Sequence, residues 1–366
     1  MRAILDVSAA DLQSWLGGRG QVPFRARQIR RWILAGRAES FEAMTDLPRD
    51  LRLALAEEFV PLATQITRHL AAHDGTHKLL LRLLDGQLVE CVLLQEAGRH
   101  TACISTQVGC GMGCVFCASG LDGIVRNLTA GEILEQLVRL RNLLPGAERL
   151  THIVVMGMGE PLANLDALVE ALEAASAKDG LGIGARHVTI STVGLPLQIR
   201  RLADLNKQYH LAVSLHAPND PLRTRIVPTN EKTGLDAIVA AADYFFDKTG
   251  RQVTFEYVLL RGINDAVELA SELARLLRGR HAHVNLIPFN DVHGLPYRRP
   301  TDEALAAFVN RLRRDQISVR VRKRKGSEID AACGQLRRET VELGVLASRR
   351  TEPAEASPEP PLAARV

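Results

Sequence analysis

Cys110-Gly111-Met112-Gly113-Cys114-Val115-Phe116-Cys117 puts three cysteines into one short loop, with three and then two residues between them. Three thiolates this close can serve one metal centre, and soft sulfur ligands select zinc, copper or iron–sulfur. A structural zinc site wants four protein ligands. A zinc knuckle would therefore need a donor from elsewhere, for instance His152. A 4Fe–4S cluster held by three cysteines instead keeps one iron free for another ligand. The spacing and Phe116 before the third cysteine favour the cluster, with the zinc knuckle as the alternative.

Outward from this loop the pattern alternates between strand and helix. HTACIST, THIVVM, RHVTIS, YHLAVSL, QVTFEYVLL and HVNLIPF predict strands, and helical patterns separate them. The clearest helix starts at Thr129 with Glu132 as a capping box, and puts Ile133, Leu137, Leu140 and Leu144 on one face. Strands alternating with helices imply a parallel sheet. Six such units predict an α/β partial (β/α)6 barrel rather than a flat doubly wound sheet. A final helix with Leu305, Phe308, Val309 and Leu312 and a strand ISVRV follow.

The segments after the strands are polar or glycine-rich: Gly157-Met158-Gly159-Glu160-Pro161, Ser191-Thr192-Val193-Gly194, Ser214-Leu215-His216-Ala217-Pro218-Asn219 and Pro288-Phe289-Asn290. Active sites of parallel α/β folds sit at the carboxyl ends of the strands. Any one of these could be an ordinary turn. Several on one rim, together with the cysteine loop, argue for a site. Glycines 157 and 159 let backbone approach a ligand, and Glu160 can take an ammonium group.

Upstream, residues 1–65 read as a helical module. Pro23 suits a helix start, Ile29, Trp32 and Ile33 share one face, and Arg25, Arg27, Arg30 and Arg31 cover the rest. Residues 66–98 change character: KLLLRLLDGQLVECVLL is two apolar runs around Asp85-Gly86, a hairpin signal. Counting in twos puts Glu90 on the face of Val92 and Leu94, while Cys91 points the other way as a small buried residue. A carboxylate on an apolar face is either an edge residue or a buried functional group. Residues 99–345 hold the barrel, and 346–366 form a Pro-, Ala- and Glu-rich tail expected to be disordered.

The 366 residues, 46% apolar and 24% charged with a net charge of +4, are ordinary for a globular protein of two or three domains. No apolar run approaches the roughly 20 residues that cross a bilayer. The N-terminus lacks the pattern of a signal peptide, and cysteines crowded into one loop do not form a disulfide scaffold. A cytoplasmic protein is expected. Two thiols stand outside the loop: Cys103 on the first strand, and Cys333 after the basic run 320–325. The nearby Arg320, Arg322, Lys323, Arg324 and Lys325 would favour the Cys333 thiolate if they lie close.

Four motifs together resemble the RlmN/Cfr family of radical S-adenosylmethionine (SAM) RNA methyltransferases. They are CxxxCxxC at 110–117 with RNLTAGEI after it, MGMGEPL at 156–162, SLHAPND at 214–220 and IDAACGQL at 329–336. The resemblance covers roughly residues 20–345. It implies that Cys110, Cys114 and Cys117 hold one 4Fe–4S cluster, and that Gly159, Glu160, Ser191, Ser214, Leu215, His216 and Asn290 contact SAM. It further implies that Cys333 first takes a methyl group from one SAM, and that a radical made from a second SAM activates this S-methyl group towards adenine. Cys103 would then resolve the covalent adduct through a transient disulfide with Cys333, and Glu90 would be the general base.

The implied product is adenine methylated at carbon 2 in 23S rRNA, with transfer RNA as a second substrate left open, and carbon 8 as the alternative position. The family also implies an RNA-contacting N-terminal domain, a flavodoxin-type electron donor and a monomer. The basic residues at 25–31 and 320–325 become expected phosphate contacts. Cys91, the segment Ser119-Gly120-Leu121-Asp122 and the tail depart from the family pattern. From another class, a zinc-stabilised RNA-binding protein without catalysis would also use a cysteine loop and basic faces.

Overall fold

The computed structural model of the chain describes residues 1–336. The expected disordered tail, 346–366, lies outside the described residues. One ladder of ten strands organises the fold. Its first three strands, β1 (Gln65–Ala71), β2 (His77–Arg82) and β3 (Leu88–Glu96), form an antiparallel meander that continues onto β4 (Arg99–Cys103). From β4 every further pairing is parallel. The strands are β5 (His152–Val155), β6 (Val188–Thr192), β7 (His210–Ser214), β8 (Val253–Leu259), β9 (Ala282–Pro288) and β10 (Ser318–Val321). The order runs from β10 to β1 without closing, so the barrel is partial.

The alternation along these strands explains the architecture. Ile153, Val155, Val188, Ile190, Leu211, Val213, Phe255 and Val284 are buried beneath the helices. Their neighbours, including Thr189, Thr254, Glu256, His283 and Asn285, face a cavity inside the sheet. An apolar outer face and a polar inner face are what period-two side chains give a curved sheet that packs helices on one side only.

The N-terminal helices are α1 (Ala9–Gly17), α2 (Phe24–Leu34) and α3 (Arg49–Glu58). The face predicted for α2 is real at Ile29 and Ile33, which are fully buried. Arg25 and Arg30 are only partly exposed and reach the backbone carbonyls of Asp46 and of Leu5 and Val7, whereas Arg27 and Arg31 project outwards. This module docks on α4 (Ala130–Asn142), whose Thr129–Glu132 capping box forms as read. Asp6 accepts from Gly131 N at 2.8 Å, Arg141 donates to the carbonyls of Leu34 and Ile33, and Glu135 accepts from Ala63 N and Thr64 N.

The remaining helices are α5 (Leu165–Ser176), α6 (Pro196–Asp204), α7 (Asp220–Ile226), α8 (Leu235–Thr249), α9 (Val267–Leu277) and α10 (Asp302–Arg314). The hairpin at Asp85-Gly86 is present, with Arg82 opposite Leu88 and Gly86 at φ +83°. The hairpin extends the barrel sheet itself, since the meander and the parallel strands form one continuous ladder. The strand β1 went unread because nearly all of it is exposed, which leaves no apolar alternation to see.

Candidate active site

The cysteine loop is held at its base by a short ribbon, in which Gln107–Gly109 pairs antiparallel with Ile124–Asn127. Cys110 N donates to Gly123 O at 2.9 Å and closes the excursion. Gly109 has φ +77°, and a side chain there would bring its Cβ to 2.1 Å from Gly123 O, so only glycine fits. The loop opens onto a cavity of about 160 Å³ at the carboxyl ends of the strands. Cys110, Cys114 and Cys117 line this cavity, and so do the predicted Gly159, Glu160, Ser191, Ser214, His216 and Asn290. Leu215 does not, since its side chain is buried in the core and its carbonyl accepts from Arg223 at 2.9 Å.

Burial pushes the Cys110 thiol up to about 12 and raises Cys114 and Cys117 as well. Such thiols stay protonated until a cation compensates the thiolate. Among the described residues no three His, Cys, Asp or Glu side chains are close enough together to hold a single metal ion. A lone zinc would gather its sulfurs at about 2.3 Å from itself. Three thiols lining one cavity are a donor set that could hold a soft-metal group such as an iron–sulfur cluster. His152, the alternative zinc donor, starts β5 at the opposite end of the sheet, where its Nε2 lies 3.2 Å from His187 Nδ1. It is therefore removed as a ligand.

Glu160 is buried at the end of a turn that only glycine permits. Gly159 has φ +101° and lies so close to Gln107 that a Cβ would sit 2.6 Å from the Gln107 Cβ. The Glu160 carboxylate accepts from Leu162 N at 3.0 Å and Val193 N at 2.7 Å, which ties the β5 and β6 loops together. Burial raises its pKa although these bonds oppose the shift. His216 is a non-glycine residue at φ +62°, and its Nδ1 accepts from Val258 N at 3.1 Å. Burial, helped by Arg223, pulls its pKa down to about 3, and the neutral ring packs edge-on against Phe116 of the cysteine loop.

A second and larger cavity, about 660 Å³, runs along the inner face of the sheet. Cys103 lines it, with Arg99, Arg186, Arg299, Arg320, Lys323, Arg324 and Lys325. The two cavities share Met156, Glu256, Ile287, Asn290, Arg322 and Cys333. Cys333 thus stands on the wall between them. Arg322 lies beside Cys333 and Glu256, and its proximity to both raises the Arg322 pKa. Of the basic residues expected near Cys333, Arg322 is in place beside it. Cys103 is different: burial, reinforced by Cys333, pushes it up to about 12. All six cysteines are free, so the transient disulfide expected between Cys103 and Cys333 is not formed in this structure.

Glu90 is 3% exposed and lines neither cavity directly, yet it shares its face with Val92 and Leu94, which line the larger one. Lys78 Nζ lies 2.8 Å from its Oε1. Cys91 points the other way and is fully buried. Two further residues of the site escaped the sequence reading. Arg223 is fully buried in α7 and donates to the carbonyls of Ser214 and Leu215, and to Val193 O and Asn230 Oδ1, so it pins the rims of β6 and β7. Glu256, in the middle of β8, accepts from Asn285 Nδ2 at 3.0 Å and sits beside Arg322. A single Glu inside the apolar run QVTFEYVLL was the available signal for the second. Arg223 carried none, because nothing local says that its helix turns inward.

An open parallel α/β sheet carrying a CxxxCxxC loop and a glycine–glutamate turn on its carboxyl rim defines an enzyme of the radical SAM class. Residues 104–274 match the family model described as the radical SAM superfamily, and residues 3–60 the one described as the ribosomal RNA large subunit methyltransferase N-terminal domain. The chain is 56% identical to a protein of Rhodopirellula baltica named "Probable dual-specificity RNA methyltransferase RlmN", over 93% of this chain and 92% of that one. A protein of the same name from Caldicellulosiruptor saccharolyticus is 43% identical over 92% of this chain and 97% of its own. The crystal structure of a radical SAM methyltransferase from Sphaerobacter thermophilus superposes with a TM-score of 0.89 at 44% identity, covering 93% of this chain and all of that one. The chain belongs to the RlmN family of radical SAM RNA methyltransferases. The family implies SAM and a 4Fe–4S cluster. Among the described residues no helix is long and apolar enough to cross a membrane.

Proposed function

We propose that this protein methylates carbon 2 of an adenine in RNA through an S-methyl group carried on Cys333. The carrying observation is the place of Cys333 on the wall between two cavities, one lined by the cysteine loop and the other by Cys103 and arginines. An adenine C–H is neither acidic nor nucleophilic, so direct methyl displacement from SAM fails there. A methyl carrier that touches both a radical source and the base avoids that obstacle.

When bound, the cluster and SAM supply the electron and the radical that activate carbon. The chain's own residues do the rest. Cys110, Cys114 and Cys117 would hold the cluster. Gly159 and Glu160 shape the amino-acid end of the SAM site, with Ser191, Ser214, His216 and Asn290 along its wall. Arg322 stands beside Cys333, whose sulfur accepts a methyl group by displacement. Glu90 takes the proton from the adenine carbon, and Cys103 attacks the Cys333 sulfur to release the product.

Large-subunit ribosomal RNA is the substrate read from the N-terminal match, and transfer RNA is added because the relatives are named dual-specificity. Residues 1–65 act as the RNA-contacting module, with Arg27 and Arg31 as its exposed cations, and the Arg320–Lys325 run meets phosphates in the larger cavity. We read the chain as a cytoplasmic monomer fed by a flavodoxin-type donor. Anaerobically purified protein, incubated with SAM, reductant and unmodified RNA, should yield 2-methyladenosine in the digested RNA by mass spectrometry. Methyl found only on carbon 8, or a colourless protein holding one zinc, would overturn the reading.

A further inference from the structure

Lys78 sits where two parts of the site meet. It lies on β2 with its side chain 8% exposed, opposite Val92 and diagonal to Glu90, which pairs with Leu80 two positions along. One of its three donors reaches Glu90 Oε1 at 2.8 Å and another reaches Asp330 O at 3.2 Å, three residues before Cys333. The same meander grips the start of this segment. Gly326 N donates to Asp74 Oδ2 at 2.9 Å, and Gly326 is so close to Thr76 that a Cβ would lie 2.8 Å from its methyl group. Asp330 itself is held at φ +50°, a conformation that L residues avoid without outside support.

A carboxylate can accept a proton only while ionised, and burial disfavours that form unless a cation stands beside it. Lysine is suited to two partners of different kinds, because its ammonium is a compact charge with three freely aimed donors. We propose that Lys78 is a positioning residue that holds Glu90 as the ionised base and couples it to docking of the Cys333 segment. This rests on the reading of Glu90 as the base. The proton transfer it serves follows bonding of the Cys333-borne carbon to the adenine carbon: the C–H bond there breaks, its electron pair stays in the ring and the proton goes to a Glu90 oxygen. With the Cys333 segment docked, Asp330 O occupies one Lys78 donor and fixes the ammonium over Glu90. With the segment withdrawn, the ammonium loses that anchor. The base is thereby ordered when the methyl carrier is in place.

The test uses the full chain, anaerobically loaded with its cluster, and an unmodified transcript of 23S rRNA. Three quantities are read from each reaction: methylation of Cys333 by peptide mass, protein–RNA conjugate on a denaturing gel, and methylated adenine. For Lys78→Met we expect Cys333 methylation as in the wild type, product formation lower by about tenfold or more, and accumulation of the conjugate. Lys78→Arg, which keeps charge and donors, should restore most of the product. A purely structural lysine would lower all three quantities together, and that result, or unchanged turnover, overturns the proposal. Glu90→Gln separates the two readings. Conjugate accumulating in Glu90→Gln but not in Lys78→Met overturns the role of Lys78 alone, whereas normal turnover by Glu90→Gln overturns the base and, with it, this proposal.

Discussion

Asn290 Nδ2 donates to the Cys333 carbonyl at 3.2 Å, so the end of β9 is tied directly to the residue that stands between the two cavities. Removing it should free the Cys333 segment without touching the thiol. A hydrogen bond of this kind contributes about 0.5–1.5 kcal/mol. Asn290→Ala is therefore expected to slow methylation of Cys333 by up to about tenfold, read as the rate of mass gain on the Cys333 peptide. An unchanged rate would show that the segment is positioned by its other contacts.

Arg322 is the one cation of the basic run that lines both cavities. Its guanidinium stands beside the Cys333 thiol, where a cation assists attack by sulfur. Arg322→Met should slow alkylation of Cys333 by iodoacetamide by about tenfold at neutral pH, while alkylation of denatured protein stays the same. Equal rates in the folded proteins would sink the activating role.

Cys103 and Cys333 both line the larger cavity, but burial pushes the Cys103 thiol up to about 12. It needs the reaction itself to draw off its proton. Cys103→Ala should leave Cys333 methylation intact and trap chain covalently joined to RNA. Loss of product with no conjugate on a denaturing gel would count against its resolving role.

Glu135 accepts from Ala63 N at 2.8 Å, Thr64 N at 2.7 Å and Thr64 Oγ1 at 2.6 Å, where the chain leaves the N-terminal module. Glu135→Ala strands these buried donors. It should lower stability by about 1–3 kcal/mol and open the 60–66 segment to proteolysis before global unfolding. An unchanged unfolding midpoint would show that water replaces the carboxylate without loss.

Burial is the first cause that lowers the pKa of His152, His210 and His283 below the ordinary 6.5, with nearby arginines adding to it. In the unfolded chain these rings take up protons at higher pH than in the fold. Stability from keeping them neutral is thus fully present above about 6.5 and is lost as pH falls below it. A His152→Asn, His210→Asn double variant should show a flatter loss of thermal midpoint between about pH 7 and 5 than the wild type. Parallel curves would exclude the linkage.

The sequence by itself determined the class of the fold and marked the candidate site. Local chemistry writes these down: three cysteines in eight residues, a Thr129–Glu132 cap, apolar runs of strand length and a glycine pair before Glu160. Each of those signals is complete within a few residues, so no tertiary information was needed. It also named Glu90, Cys103 and Cys333 through the family resemblance. The tertiary structure decided what brings them together. Only the parallel order of β4 to β10 puts Cys333, from the far end of the chain, on the wall next to Cys103, and only the meander places Lys78 between Glu90 and Asp330. It also removed His152 from the cysteines and turned Arg223 inward. Partners more than a hundred residues apart leave no mark on local spacing, because their pairing is fixed by burial and sheet register, which exist only once the chain has folded.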